Sequence, residues 1–242
     1  MTQGRIALVG SGEYLPVMQD TEAWLLQERP AKYVQLATAA APEGDSSLAH
    51  WHELGAKAAA RLGVEQVVID VRDRDDANNP KWAELITGAG LIYLSGGNPS
   101  YLAETLRETM VWKAIVHEWN RGASLAGCSA GAMAMCGYVP NFRHPRKGGV
   151  NGLGLLPHIR VLPHFDRLSH WMPDFTLKPL VSKDAQTIGV DEDTALIGES
   201  NGTSVWEFRS VGRLDSWRIE SSGKHRIADT LAITVLDPTE VH

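Results

Sequence analysis

Short apolar runs alternate with longer amphipathic segments through the first half of the chain. The runs Ile6–Val9, Tyr33–Ala37, Gln66–Val71, Leu91–Leu94 and Ser124–Ala126 read as strands. Between them, Thr21–Glu28, Leu48–Leu62, Lys81–Gly88 and Tyr101–Arg121 have helical spacing. Within one of these helices, Leu48, Trp51, Leu54, Ala58 and Leu62 recur at three- and four-residue steps, and Gly63 follows as a C-terminal stop. Strand–helix alternation of this kind predicts βαβ units: an α/β fold with a mostly parallel sheet and helices on both faces.

In such sheets, ligands collect outside the C-terminal ends of the strands. Three glycine-containing turns fall at those ends: Gly10-Ser11-Gly12-Glu13, Ser95-Gly96-Gly97-Asn98, and Gly127 to Gly131. After Gly137 the texture changes. A polar loop covers Pro140 to Asn151, and strand-like pieces follow at Ile159–Leu162, Thr187–Val190, Ala195–Ile197, Thr203–Phe208, Trp217–Ile219 and Leu231–Leu236. The last three are expected to form an antiparallel extension at one sheet edge. No internal repeat or long linker divides the chain, so residues 1–242 are expected to form a single α/β domain.

The turn Gly127-Cys128-Ser129-Ala130-Gly131 matches G-x-S-x-G. In a nucleophile elbow a strand ends in a sharp turn, a serine sits at the strained apex, and a helix begins at once. Small neighbours avoid clashes there, and the helix start presents unpaired N–H groups to a developing oxyanion. A serine hydroxyl also needs a base within hydrogen-bond reach. Of the nine histidines, His164 follows a predicted strand and is expected at the sheet's C-terminal edge, whereas His158 precedes it. The base needs a carboxylate to hold its tautomer. Asp191-Glu192-Asp193 follows the strand Thr187–Val190, and Asp166 is a competing orienter.

Charge and cysteine usage narrow the function classes. The formal net charge of −6 gives no global attraction to nucleic acid or anionic membrane. The basic stretch Arg143–Lys147 is a local exception. The two cysteines, Cys128 and Cys136, would lie roughly 12 Å apart along a helix, too far for a disulfide. No paired-cysteine metal spacing occurs, and no cofactor is expected. The chain start lacks a long apolar segment and no 18-residue apolar run occurs, so the expectation is a cytoplasmic protein without a membrane span. A dinucleotide fingerprint at Gly10-Ser11-Gly12 is incomplete, since Leu15 holds the place of its third glycine.

Five spaced strings then carry a resemblance. Gly96-Gly97-Asn98, A-G-C-S-A-G-A at the elbow, G-L-G-L-L-P at Gly152–Pro157, P-H-F around His164, and I-G-V-D-E-D-T-A-L from Ile188 occur in that order. Together they resemble the peptidase E and cyanophycinase family of serine peptidases. The resemblance implies a fold like class I glutamine amidotransferases and a triad of Ser129 as nucleophile, His164 as base and Glu192 as orienting acid. It also implies an oxyanion hole from Ala130 and the Gly96-Gly97 turn, with Asn98 beside the substrate. Cys128 lies one residue before the apex and reads as packing. Aspartyl-selective members carry arginine-rich sequence after the histidine; here Phe165–Trp171 contains only Arg167, which joins the Arg143–Lys147 loop as a candidate substrate counter-charge. Glu13 is expected to face the same crevice, as a substrate contact or a helix cap. The implied activity is acyl-enzyme hydrolysis of peptide or amide bonds in small peptides. The alternatives are an amidase or esterase on a small non-peptide substrate, and a non-catalytic binding module. A homodimer is left open.

Overall fold

Alternate residues of the central strands enter two different apolar cores. The computed structural model describes residues 3–141, 148–171, 181 and 184–236, so the Arg143–Lys147 loop lies outside the described residues. In chain order the strands are β1 (Ile6–Val9), β2 (Lys32–Leu36), β3 (Glu65–Val68), β4 (Leu91–Leu94), β5 (Ser124–Cys128), β6 (Tyr138–Val139), β7 (Val150–Asn151), β8 (Ile159–Pro163), β9 (Gln186–Val190), β10 (Thr194–Gly198), β11 (Val205–Gly212), β12 (Ser216–Glu220), β13 (Gly223–Arg226) and β14 (Thr230–Thr234). The helices are α1 (Gln19–Leu26), α2 (Asp45–Leu62), α3 (Arg74–Ala77), α4 (Pro80–Ile86), α5 (Pro99–Leu106), α6 (Met110–Asn120), α7 (Ala130–Met135) and α8 (Phe165–Trp171).

The central sheet has the order β14-β11-β10-β1-β5-β4-β2-β3. From β1 to β3 all neighbours are parallel, and β10, β11 and β14 extend the sheet antiparallel on the other side of β1. Ile6, Leu8, Val34, Leu36, Ile92, Leu94 and Leu125 lie on one face and pack with Leu102, Trp112, Ile115 and Trp119 of α5 and α6. Ala7, Val9, Tyr33, Leu91, Tyr93, Ala126 and Cys128 lie on the other, against Leu25 of α1 and Ala58 and Ala59 of α2. This two-sided burial explains why β1 and β4 read as continuous apolar runs rather than alternating ones. The predicted α/β class, parallel sheet and C-terminal antiparallel extension are all present. Helix α2 ends where expected, at Gly63 in the left-handed region (φ 68°).

Two expectations about these elements are corrected. The single helix predicted for Tyr101–Arg121 is broken into α5 and α6. Glu108 takes φ 63°, and the Thr109 hydroxyl accepts the Trp112 N–H at 3.3 Å, capping a new helix. More consequential for the site, Ile159–Leu162, Thr187–Val190 and Trp217–Ile219 do not join the central sheet. They form a second sheet of order β13-β12-β9-β8, in which β8 and β9 run parallel. Periodicity marks a strand but does not name its partner.

Candidate active site

The elbow can form because the two positions flanking it at closest backbone approach, Gly127 and Gly131, are glycine. Ser129 joins β5 to α7 with φ 48° and ψ −105°, a conformation costly for a residue with a side chain. Its N–H donates to the Val9 carbonyl at 2.9 Å, which ties the apex to β1. A Cβ on Gly127 would stand 2.5 Å from the Gly131 carbonyl carbon, and one on Gly131 would stand 2.2 Å from the Leu94 oxygen. The two glycines of the motif therefore let α7 fold back flush against β5 and β4.

The second sheet delivers the other two side chains. In the β8–β9 register Pro163 pairs with Val190, so the residues that follow each strand emerge side by side. His164 follows β8 with φ 51°, and Glu192 stands two residues beyond β9. His164 Nε2 lies 3.1 Å from Ser129 Oγ, and Nδ1 lies 2.8 Å from Glu192 Oε1. With Nδ1 facing a carboxylate, the proton belongs on Nδ1, leaving Nε2 to accept from the serine hydroxyl. The His164 side chain is 41% exposed and that of Glu192 only 15%, so the base is open to solvent while its orienting acid is sheltered.

One contact that holds His164 was not anticipated. The Phe165 ring lies over Gly189, where a Cβ would meet it at 2.4 Å, and its centroid is 6.5 Å from that of Trp217. The ring anchors the backbone one residue after the histidine. The available signal was Gly189 itself, a glycine inside a strand, which often marks close approach of another group.

The acidic run after β9 has three separate destinations. Asp191 is buried; its Oδ2 accepts from the Trp217 indole at 2.9 Å and the Asp215 N–H at 3.3 Å, and burial raises its pKa above the usual carboxylate range. Glu192 faces His164. Asp193 pairs with Arg213 at 2.9 Å. Asp166, the rival orienter, instead accepts the Glu192 N–H at 2.9 Å and so holds the backbone of the acid. Arg167, considered as a substrate counter-charge, sits with Nε 2.9 Å from Glu192 Oε2; its side chain is 73% exposed.

Facing the elbow is the turn after β4. Gly97 has φ 136°, and a Cβ there would lie 2.4 Å from the Ala39 oxygen, so only glycine fits. The Asn98 N–H donates to Ala39 O at 2.7 Å, while Asn98 Oδ1 accepts the Tyr101 N–H at 3.1 Å and caps α5. The Gly96 N–H is turned away, donating to Glu13 Oε1 at 3.1 Å. Glu13 is thus neither open to the crevice nor a helix cap. Gly96 as a direct oxyanion donor is corrected on the same ground, because its hydrogen is already committed. The N–H groups of Gly97 and Ala130 donate to no described residue.

Both cysteines are buried free thiols. Burial, then the neighbouring Glu13 charge, raises the Cys128 pKa, and burial pushes Cys136 up to about 12. Neither is poised as a thiolate. Among the described residues no cluster of three or more His, Cys, Asp or Glu side chains is placed to hold a metal, and no helix is long and apolar enough to cross a membrane.

Comparison with known proteins agrees with this architecture. Residues 10–207 match the family model of peptidase family S51. The cyanophycinase of Synechococcus elongatus is 30% identical over 164 residues, 63% of this chain and 48% of that protein. The cyanophycinase of Trichormus variabilis is 28% identical over 195 residues, 74% of this chain and 56% of that protein. The chain spans about half the length of the curated relatives it matches. A crystal structure of a peptidase from an acI-B1 Actinobacterium superposes with a TM-score of 0.85 at 39% identity, covering 96% of this chain and 97% of that one. A putative peptidase E protein from Listeria monocytogenes EGD-e shares the fold, with a TM-score of 0.63 at 20% identity over 88% of this chain and 100% of that one.

Proposed function

Because this chain belongs to peptidase family S51, we propose that it is a serine hydrolase cleaving peptide or amide bonds of small peptides through Ser129, His164 and Glu192. The observation that carries the reading is the continuous chain from Ser129 Oγ to His164 Nε2 at 3.1 Å and from His164 Nδ1 to Glu192 Oε1 at 2.8 Å, starting at a strained elbow.

In the proposed cycle His164 takes the Ser129 proton as Oγ attacks the substrate carbonyl carbon. The imidazolium so formed is stabilised by the Glu192 carboxylate. The carbonyl oxygen becomes an oxyanion and accepts from the N–H groups of Gly97 and Ala130, neither of which donates to a described residue. His164 then gives its proton to the leaving nitrogen, and the C–N bond breaks to leave an acyl-enzyme. Water, deprotonated by His164, attacks the ester and restores the serine. Asn98, exposed next to Gly97 and with its Oδ1 held by the Tyr101 N–H, is assigned to meet substrate through its amide nitrogen. Arg167 serves the reaction by holding the second oxygen of Glu192 rather than by meeting substrate.

A triad acts as a unit, so its members are not additive. Ser129→Ala, His164→Ala and the double variant are expected to fall to one common residual rate, several orders of magnitude below wild type. Stepwise, additive losses, or retained turnover in Ser129→Ala, would overturn the assignment.

A further inference from the structure

Glu13 bridges the two loops from which the proposed oxyanion donors come. It follows β1, is 6% exposed, and has both carboxylate oxygens committed. Oε1 accepts the Gly96 N–H at 3.1 Å, in the turn after β4. Oε2 accepts the Cys128 S–H at 2.7 Å, at the last residue of β5 and next to Ser129. A buried carboxylate is costly unless hydrogen-bonded, and here both bonds go to chain segments far away in sequence.

We infer that Glu13 is a positioning residue that sets the spacing and orientation of the oxyanion turn against the nucleophile elbow, an inference that rests on the hydrolase reading above. Holding the Gly96 N–H fixes the Ser95–Gly96 peptide plane, and the next plane carries the Gly97 N–H. Holding Cys128 fixes the residue on which the strained Ser129 turns. The packing leaves little slack: a Cβ on Gly96 would stand 3.0 Å from Glu13 Oε1 and 3.7 Å from Ser129 Cβ. Cys128 then acts as a hydrogen-bond donor, a role for which it must stay protonated. Burial first, and the Glu13 charge second, raise its pKa in that direction.

The chemistry needed at position 13 is an acceptor for the Gly96 N–H and a hydrogen-bonding partner for the Cys128 thiol, at the end of a side chain of this length. Glutamine keeps the acceptor for Gly96 and can present its amide hydrogens to the Cys128 sulfur, a weak acceptor. Alanine leaves the Gly96 N–H buried without a partner and frees both loops. Misplacing a reacting group by about 1 Å can cost on the order of 10²-fold in rate.

The test is covalent labelling of the full chain by a fluorophosphonate, followed by intact mass, with melting temperature measured alongside. Wild type is labelled once and Ser129→Ala not at all. Glu13→Ala is labelled about 10- to 100-fold more slowly. Glu13→Gln recovers most of that loss. On any peptide the wild type cleaves, the loss falls on kcat with KM little changed. Cys128→Ala, which keeps Glu13 and removes one donor, shows a smaller slowing in the same direction, and carries the test if Glu13→Ala does not fold. A wild-type rate in Glu13→Ala or, failing that variant, in Cys128→Ala overturns the inference alone. Equal loss in Glu13→Gln and Glu13→Ala also overturns it. Absence of labelling in wild type overturns the hydrolase reading, and the inference with it.

Discussion

His164 Nδ1 and Glu192 Oε1 stand 2.8 Å apart because two parallel strands of the second sheet end in register, Pro163 beside Val190. The pairing is built by the backbone before either side chain is placed. Glu192→Gln keeps the shape but offers a donor to Nδ1 and favours the wrong tautomer. Its kcat is expected to fall on the order of 10³- to 10⁴-fold with melting temperature nearly unchanged. Steady-state kinetics beside a thermal melt checks both parts.

Gly189 has no room for a methyl group under the Phe165 ring. Gly189→Ala is expected to push Phe165, and with it His164, away from Ser129. Overpacking of this kind costs about 1–3 kcal/mol, so the melting temperature should drop by several degrees. The rate should fall by more than that stability loss explains. An unchanged melt and rate would show that the ring does not anchor the histidine.

Arg167 offers a discrimination between two roles. Its side chain is 73% exposed, so its ion pair with Glu192 adds little to stability. If it acts through Glu192, Arg167→Gln lowers kcat a few-fold for all substrates and leaves KM alone. A rise in KM confined to peptides with an acidic residue would instead make it a substrate contact.

Glu22 gives a pH signature of stability. It is buried in α1, accepting from the Tyr14 N–H at 3.1 Å and the Tyr33 hydroxyl at 3.2 Å, and burial, its largest cause, raises its pKa from 4.5 to about 7. The folded state therefore holds this proton more tightly than the unfolded chain does. The destabilising cost is absent below about pH 4.5, grows as pH rises, and is complete above about pH 7. Glu22→Gln should accordingly match wild type near pH 4.5 and exceed it at pH 8, by up to about 3 kcal/mol. Thermal melts across that range provide the check, and a pH-independent difference would contradict the assignment.

The two thiols are expected to be silent. Cys128 and Cys136 are buried, and neither carries a lowered pKa. Native protein should resist iodoacetamide and keep its activity in its presence, with two alkylations appearing only after denaturation. Rapid inactivation would move the nucleophile from Ser129 to Cys128.

What could be read in advance followed from local chemistry. Ile6–Val9 and Leu91–Leu94 announce buried parallel strands because both of their faces are covered. Gly127 and Gly131 announce the elbow because close backbone approach leaves glycine no substitute. The break at Glu108–Thr109 was hidden because buried apolar positions recur at helical spacing on both sides of it, Leu102 and Leu106 before and Val111 and Ile115 after. The second sheet was hidden because a strand's pattern does not specify which neighbour it pairs with. Glu13 was misplaced because its partners, Gly96 and Cys128, lie 83 and 115 residues away, and only the folded chain brings them together.

The most direct measurement is hydrolysis of a mixed dipeptide and tripeptide library, read by mass spectrometry, with wild type and Ser129→Ala side by side. The account predicts cleavage by wild type that disappears in the variant, and the cleaved sequences would define the preferred side chains. Cleavage that persists in Ser129→Ala would contradict it, because no other described group stands at the apex within reach of His164.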